Sequence, residues 1–175
     1  MMEFDFSPCQ RDDIPRLTEM FDEAAAFQER ISEQRWMGFE IDRLESEIER
    51  QQIWKLVDGD HIACVFVWVT SDEQIWENSE NDRAIYLHRI AVTERYRGKG
   101  CMQAILEWSK ALCIERGWDC IRVDTWARNE KLVGYYVQCG FRYVREIDPA
   151  DIEGLPAHYG QPLALLQLDV EKTGR

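Results

Sequence analysis

Residues 95–102 read Arg-Tyr-Arg-Gly-Lys-Gly-Cys-Met and carry the densest local chemistry in the chain. They lie between an apolar strand-like run, Ala84–Val92, and a stretch whose inner face at helical spacing carries Ile105, Leu106, Ser109, Leu112 and Cys113. The first turn of a helix leaves about four backbone N–H groups without an internal acceptor, and the aligned peptide dipoles add partial positive charge there. Glycines let the main chain come close to phosphate oxygens, and Arg97 and Lys99 add full charges. This combination grips a diphosphate. It is not a P-loop, because GxxxxGK[ST] is absent, and residues 98–103, Gly-Lys-Gly-Cys-Met-Gln, lack the final glycine of a dinucleotide fingerprint. An isolated Gly-x-Gly turn would be read as a tight strand-to-helix connection with solvated cations.

The elements that must position this turn follow an α/β order. Glu3–Ser7 reads as a short strand, and Asp12–Arg30 as a helix through Ile14, Leu17, Phe21 and Ala25. Phe39–Arg50 reads as a second amphipathic stretch through Ile41, Leu44 and Ile48. Gln52–Val57 and His61–Thr70 are β-rich runs joined by Asp58-Gly59-Asp60, a hairpin signal. Ser71–Arg83 is polar and reads as a loop. After the helix closed by Arg116 and Gly117 come the strand Cys120–Trp126, a short helix from the cap Asn129 to Gln138, and the strand Phe141–Ile147. The loop Pro149–Gln161 leads to a last strand, Leu163–Val170. Strands alternating with helices around one hairpin predict a mixed sheet.

A second motif lies about 30 residues beyond the glycine turn: Asn129-Glu-Lys-Leu-Val-Gly-Tyr135-Tyr136-Val-Gln-Cys-Gly140-Phe141. With both motifs present, the run from Ile85 to Phe141 resembles the central region of GNAT acetyltransferases. There a strand of the type "YLHRIAV" leads to "YRGKG", then a helix, a strand and an Asn…Tyr-x-x-x-Gly-Phe ending. The resemblance covers about a third of the chain strongly. It implies a GNAT-like mixed, centrally splayed β-sheet flanked by helices, one domain over residues 1–175, and a CoA-binding core at about 84–147. It implies acetyl-CoA as co-substrate, with no metal. Ile90, Ala91 and Val92 would offer backbone groups to the pantetheine arm. Arg97, Gly98, Lys99, Gly100, Cys101 and Met102 would cradle the pyrophosphate, and Asn129 and Tyr136 would lie along the arm. Met102 stands where the family has a small residue, and its side chain is expected to turn away from the ligand.

Transfer of an acetyl group to an amine sets further demands. A lysine-like amine has a pKa of about 10.4, so presenting it neutral at pH 7 costs roughly 4–5 kcal/mol, and a base must take its proton. His88, alternating with Tyr86 and Ile90, and Asp124, alternating with Arg122 and Trp126, are the candidates for that base. Asp124 could instead pair with Arg122 or Arg89, and a lone strand His is often structural. Tyr136 is the natural acid for the leaving thiolate, since a phenol with a pKa of about 10 is protonated at pH 7. Its neighbour Tyr135 is expected to serve packing.

The whole composition narrows the partners. A formal net charge of −12 repels nucleic-acid backbones and anionic membranes and leans the acceptor toward a small-molecule or peptide amine, cationic in character. The six cysteines form no CxxC pair and read as reduced thiols. The N-terminal residues have no signal-peptide pattern, and no apolar run reaches the length of a membrane span, so the expected location is the cytoplasm. A homodimer is left open. The alternative to an enzyme is a non-catalytic GNAT-like module that binds or senses CoA.

Overall fold

The computed structural model describes residues 3–31, 40–77, 83–154 and 160–171. Its strands are β1 (Asp5–Pro8), β2 (Ile53–Asp58), β3 (His61–Val69), β4 (Ala84–Val92), β5 (Cys120–Trp126), β6 (Arg142–Ile147) and β7 (Leu163–Asp169). Its helices are α1 (Ile14–Ile31), α2 (Ile41–Glu49), α3 (Cys101–Arg116) and α4 (Glu130–Gln138). The seven strands form a mixed sheet in the order β1-β2-β3-β4-β5-β7-β6. The pair β4–β5 is parallel, while β1–β2, β2–β3, β5–β7 and β6–β7 are antiparallel.

The chain divides into two compact units, Met1–Trp68 with Arg89–Ile105, and Val69–His88 with Leu106–Arg175. The first unit is built on the hairpin. Gly59 has φ +58, and Asp58 pairs directly with His61, so the turn closes as the Asp-Gly signal predicts. Leu17, Phe21, Leu44 and Ile48 from the two amphipathic helices pack with Ile53, Val65, Val67 and Ala91 in one buried cluster. Ile41, expected on that apolar face, is instead 57% exposed in the first turn of α2. Inside this unit Thr93 donates its backbone N–H to Ala63 O at 3.0 Å.

The second unit inserts β7 between β5 and β6. Alternation does not reveal this strand order: nearly every residue of β7 is buried, as expected of a strand paired on both edges and covered on both faces. Trp76, Ala84, Tyr86, Cys120, Leu163 and Leu165 belong to its core cluster. Helix α3 closes as its sequence predicts, with Gly117 at φ +70 and the Trp118 N–H donating to Cys113 O at 2.8 Å. Residues 71–77 carry only turns and bends, in line with the predicted loop. Parts of the two predicted loops, 78–82 and 155–159, lie outside the described residues, as does Phe39, the predicted start of the second amphipathic stretch.

Candidate active site

The glycine-rich turn belongs to the first unit. A single 3-10 turn, Glu94–Tyr96, precedes it, and α3 begins at Cys101. Gly98 and Gly100 have φ +72 and +87, in the region that side chains disfavour. A Cβ added at either glycine would have no heavy atom within 4 Å. Backbone conformation, not crowding, therefore requires glycine here, and the space above the turn is open to a ligand. The Ala104 N–H donates to Gly100 O at 3.0 Å, which sets the first helical bond. The amides of residues 101–103 point out of the N-terminus by helix geometry, while those of Arg97 and Lys99 donate to Glu94 O and Tyr96 O. Met102 is buried, with its side chain inside the fold rather than on the turn's outer surface, and Cys101 is buried beside it.

Side chains hold the turn from beneath. Tyr96, 2% exposed, donates its phenol to Asp58 Oδ2 at 2.7 Å, tying the turn to the β2–β3 hairpin. The Arg97 guanidinium lies over the Phe27 ring of α1, 3.8 Å from its centroid. An open cavity of about 470 Å³ is lined there by Glu23, Ala26, Glu29, Arg30, Glu94 and Arg97. A second, of about 650 Å³, extends past Arg95 and Thr93 to His61. The donor set suits a diphosphate: outward amides, two left-handed glycines and nearby cations.

The polar cluster belongs to the second unit. His88, near the middle of β4, and Asp124, in β5, were separate candidates in the sequence, and the fold brings them together. His88 Nδ1 lies 3.6 Å from Asp124 Oδ1, and His88 Nε2 lies 3.4 Å from Asp72 Oδ2. The imidazole thus has a carboxylate at each nitrogen. The alternative partners of Asp124 are engaged elsewhere. Arg122 donates to Tyr86 Oη at 2.7 Å and to Gln167 Oε1 at 2.9 Å, while Arg89 pairs with Glu47. Asp72 was missed in the sequence because it lies within a polar stretch read as a loop. Its carboxylate accepts from the Ile75 N–H, and its carbonyl accepts from the Trp76 N–H at 2.7 Å, so it begins a tight turn. A polar residue opening such a turn was its only signal.

Burial dominates the electrostatics of this cluster. It pushes the Asp124 carboxyl up to about 7, with the Asp72 charge adding to the effect, and pushes Asp72 up to about 6. Two carboxylic acids poised near neutrality across one imidazole can pass a proton among themselves. Among the described residues these three also form a group whose ligand-type atoms lie within 4.8 Å of one another. Carboxylates at both ring nitrogens are also an arrangement suited to proton transfer.

Asn129 caps α4, its Oδ1 accepting from the Leu132 N–H at 3.2 Å. Tyr136 is 9% exposed and packs edge-on against Phe141 with ring centroids 5.5 Å apart. Tyr135, expected to serve packing, is 46% exposed. It lies one residue, about 100° of helical rotation, from the buried face.

The family model for the acetyltransferase (GNAT) family matches residues 15–141. The chain belongs to that family. A curated relative, the uncharacterized N-acetyltransferase YesJ of Bacillus subtilis (strain 168), is 24% identical over 111 residues, covering 61% of this chain. The match spans about three fifths of that relative, 62% of its length. A GNAT-family acetyltransferase structure from Listeria monocytogenes 4b F2365 superposes with a TM-score of 0.77 at 21% identity, covering 96% of this chain and 95% of the other. The yncA structure from Salmonella typhimurium, a putative acetyltransferase solved with its cofactor acetyl-CoA, gives 0.68 at 11% identity, covering 99% and 98%. At these identities the structural likenesses show the fold. Among the described residues no helix is long and apolar enough to cross a membrane, and all six cysteines are free thiols.

Proposed function

We propose that this GNAT-family chain is an N-acetyltransferase acting on an amine by direct attack, with the Asp72–His88–Asp124 cluster as the proton acceptor. The observation that carries the reading is the imidazole flanked at both nitrogens by carboxylates, with the Asp124 carboxyl pushed up to about 7. Acetyl-CoA, when bound, supplies the acyl group as an activated thioester. His88 takes the amine proton, directly or through a water, and Asp124 and Asp72 stabilise the imidazolium that forms. At 3.4 and 3.6 Å the two carboxylates stand close enough to the ring nitrogens to stabilise its charge. The backbone amides of Ile90, Ala91 and Val92 face the thioester carbonyl, where negative charge develops. Residues 97–102 hold the pyrophosphate, Asn129 lines the arm, and Tyr136 gives its phenolic proton to the departing sulfur. A metal has no part in this reading.

The acceptor is an amine on a small molecule or peptide, drawn by a chain with a formal charge of −12, and the site of action is the cytoplasm. The test is thiol release from acetyl-CoA across a panel of polyamines, amino sugars, amino acids and peptides. Release that depends on one amine class supports the reading. CoA binding with no release from any amine would overturn it in favour of a non-catalytic CoA module.

A further inference from the structure

Arg89 sits inside β4 with φ +47. A long-side-chain residue in the left-handed region is strained, and glycine is the residue that adopts it freely. The chain places arginine there, immediately before the amides of Ile90, Ala91 and Val92. The regular parallel pairing of β4 with β5 runs only from Ala84–Cys120 to Leu87–Val123, so the left-handed residue Arg89 falls just past the end of that ladder.

The side chain of Arg89 is not solvated. It is 10% exposed and forms an ion pair with Glu47 of α2, itself 12% exposed. Its guanidinium also stands 5.7 Å from the centre of the Phe21 ring on α1. Glu47 accepts in addition from Arg43 Nε, one helical turn earlier, at 3.1 Å, which fixes its rotamer. A glycine at position 89 would permit the left-handed backbone but would not hold it. An arginine clamped to α2 holds it, because relaxing β4 to an extended strand would swing the guanidinium away and leave the half-buried Glu47 with Arg43 as its remaining cation.

We propose that Glu47 and Arg89 are positioning residues: their ion pair braces β4 at its left-handed residue and so aims the amides of residues 90–92 at the acyl group. The proposal rests on the acetyltransferase reading for its catalytic consequence, and on the backbone at 89 for its structural one. It differs from a plain stabilising role in predicting that the conformation at 89, rather than the charge, controls turnover.

The experiment compares two neutralised double variants, Glu47→Gln with Arg89→Ala and Glu47→Gln with Arg89→Gly. Both lose the pair and the long side chain; they differ only in whether the backbone at 89 accepts a positive φ without strain. The alanine double is expected to lose turnover by about 30-fold or more, with CoA affinity from calorimetry within about threefold of the wild type. The glycine double is expected to exceed it by about tenfold, the ratio that a left-handed penalty implies. Amide hydrogen exchange at residues 90–92, read without any substrate, should rise in the alanine double well above the glycine double. Equal turnover and equal exchange in the two doubles would overturn the proposal and reduce the pair to packing. Should the alanine double fail to fold, Glu47→Gln alone carries the exchange comparison: faster exchange at 90–92 supports the brace, and unchanged exchange overturns it. A wild-type enzyme that released no thiol would count against the proposed function, while the exchange measurement would still judge the brace.

Discussion

The glycine turn and the imidazole cluster are built in opposite ways. The turn is made of main chain: consecutive residues, two of them glycines with positive φ, presenting amides that any sequence would carry. The cluster is made of side chains from three segments, residues 72, 88 and 124, each positioned by a different stretch of backbone. A main-chain site is local and tolerates changes at its non-glycine positions. A side-chain site is dispersed and depends on each functional group. The two should therefore fail under different kinds of substitution.

The largest effects belong to the side-chain site. His88→Gln keeps polarity and size but cannot accept the amine proton, so turnover should fall by about 10²–10⁴ with little change in CoA affinity. The wild-type rate should rise with pH through about 6–7 as Asp72 and Asp124 give up their protons, since only the ionised carboxylates stabilise the imidazolium that His88 becomes. That rise should flatten in the variant. Thiol-release rates between pH 5 and 9 check both, and a loss below fivefold would move the base elsewhere. Tyr136→Phe removes a single hydroxyl and should cost turnover by about the same factor if the phenol protonates the sulfur. If the ring only packs against Phe141, turnover and melting temperature should both stay near the wild type.

The main-chain site gives the next effect. Gly100→Val places a branched side chain at φ +87 and should weaken CoA binding by about tenfold or more. Calorimetry reads the affinity, and a melting curve checks that the fold survives. Unchanged affinity would remove the pyrophosphate from this turn.

The smallest effect sharpens the contrast through stability. In the unfolded chain an aspartate titrates near 3.9, but Asp124 is pushed up to about 7 in the fold. Between those values the folded chain holds a proton that the unfolded chain has released, so stability falls as pH rises through the window. Its contribution is fully present below the unfolded value and gone above the folded one. Asp124→Asn removes the ionisation and should raise the melting temperature at pH 8 by about 3 °C or more, with little change at pH 4. An equal shift at both pH values would show that burial does not tune this group.

The same contrast explains what could be read from residue order alone. The strands Ala84–Val92 and Cys120–Trp126, the hairpin at Gly59 and the cap Asn129 follow from local patterning, and the structure has them where they were expected. Ile41 fits the helical period, yet it sits at the open first turn of α2, where periodicity carries no information about what packs opposite. Asp72 was invisible as a functional residue because nothing local distinguishes a carboxylate that opens a turn from one that also faces an imidazole. The Glu47–Arg89 pair was hidden for a related reason: its members are far apart in sequence, and an arginine inside a β-run gives no sign of a left-handed backbone. The strand order at the C-terminal end was equally unreadable, since β7 could join either edge by pattern alone.

That strand order has a consequence in time. During synthesis β5 and β6 leave the ribosome before β7, yet each pairs with β7 along its length. Until residues 163–169 emerge, the nascent second unit carries two strands whose neighbour has not been made, with backbone donors and acceptors turned toward whatever else is near. Completion of this unit is thus postponed until β7 has emerged. During that interval holdase chaperones, or other nascent chains, compete for the same open edges.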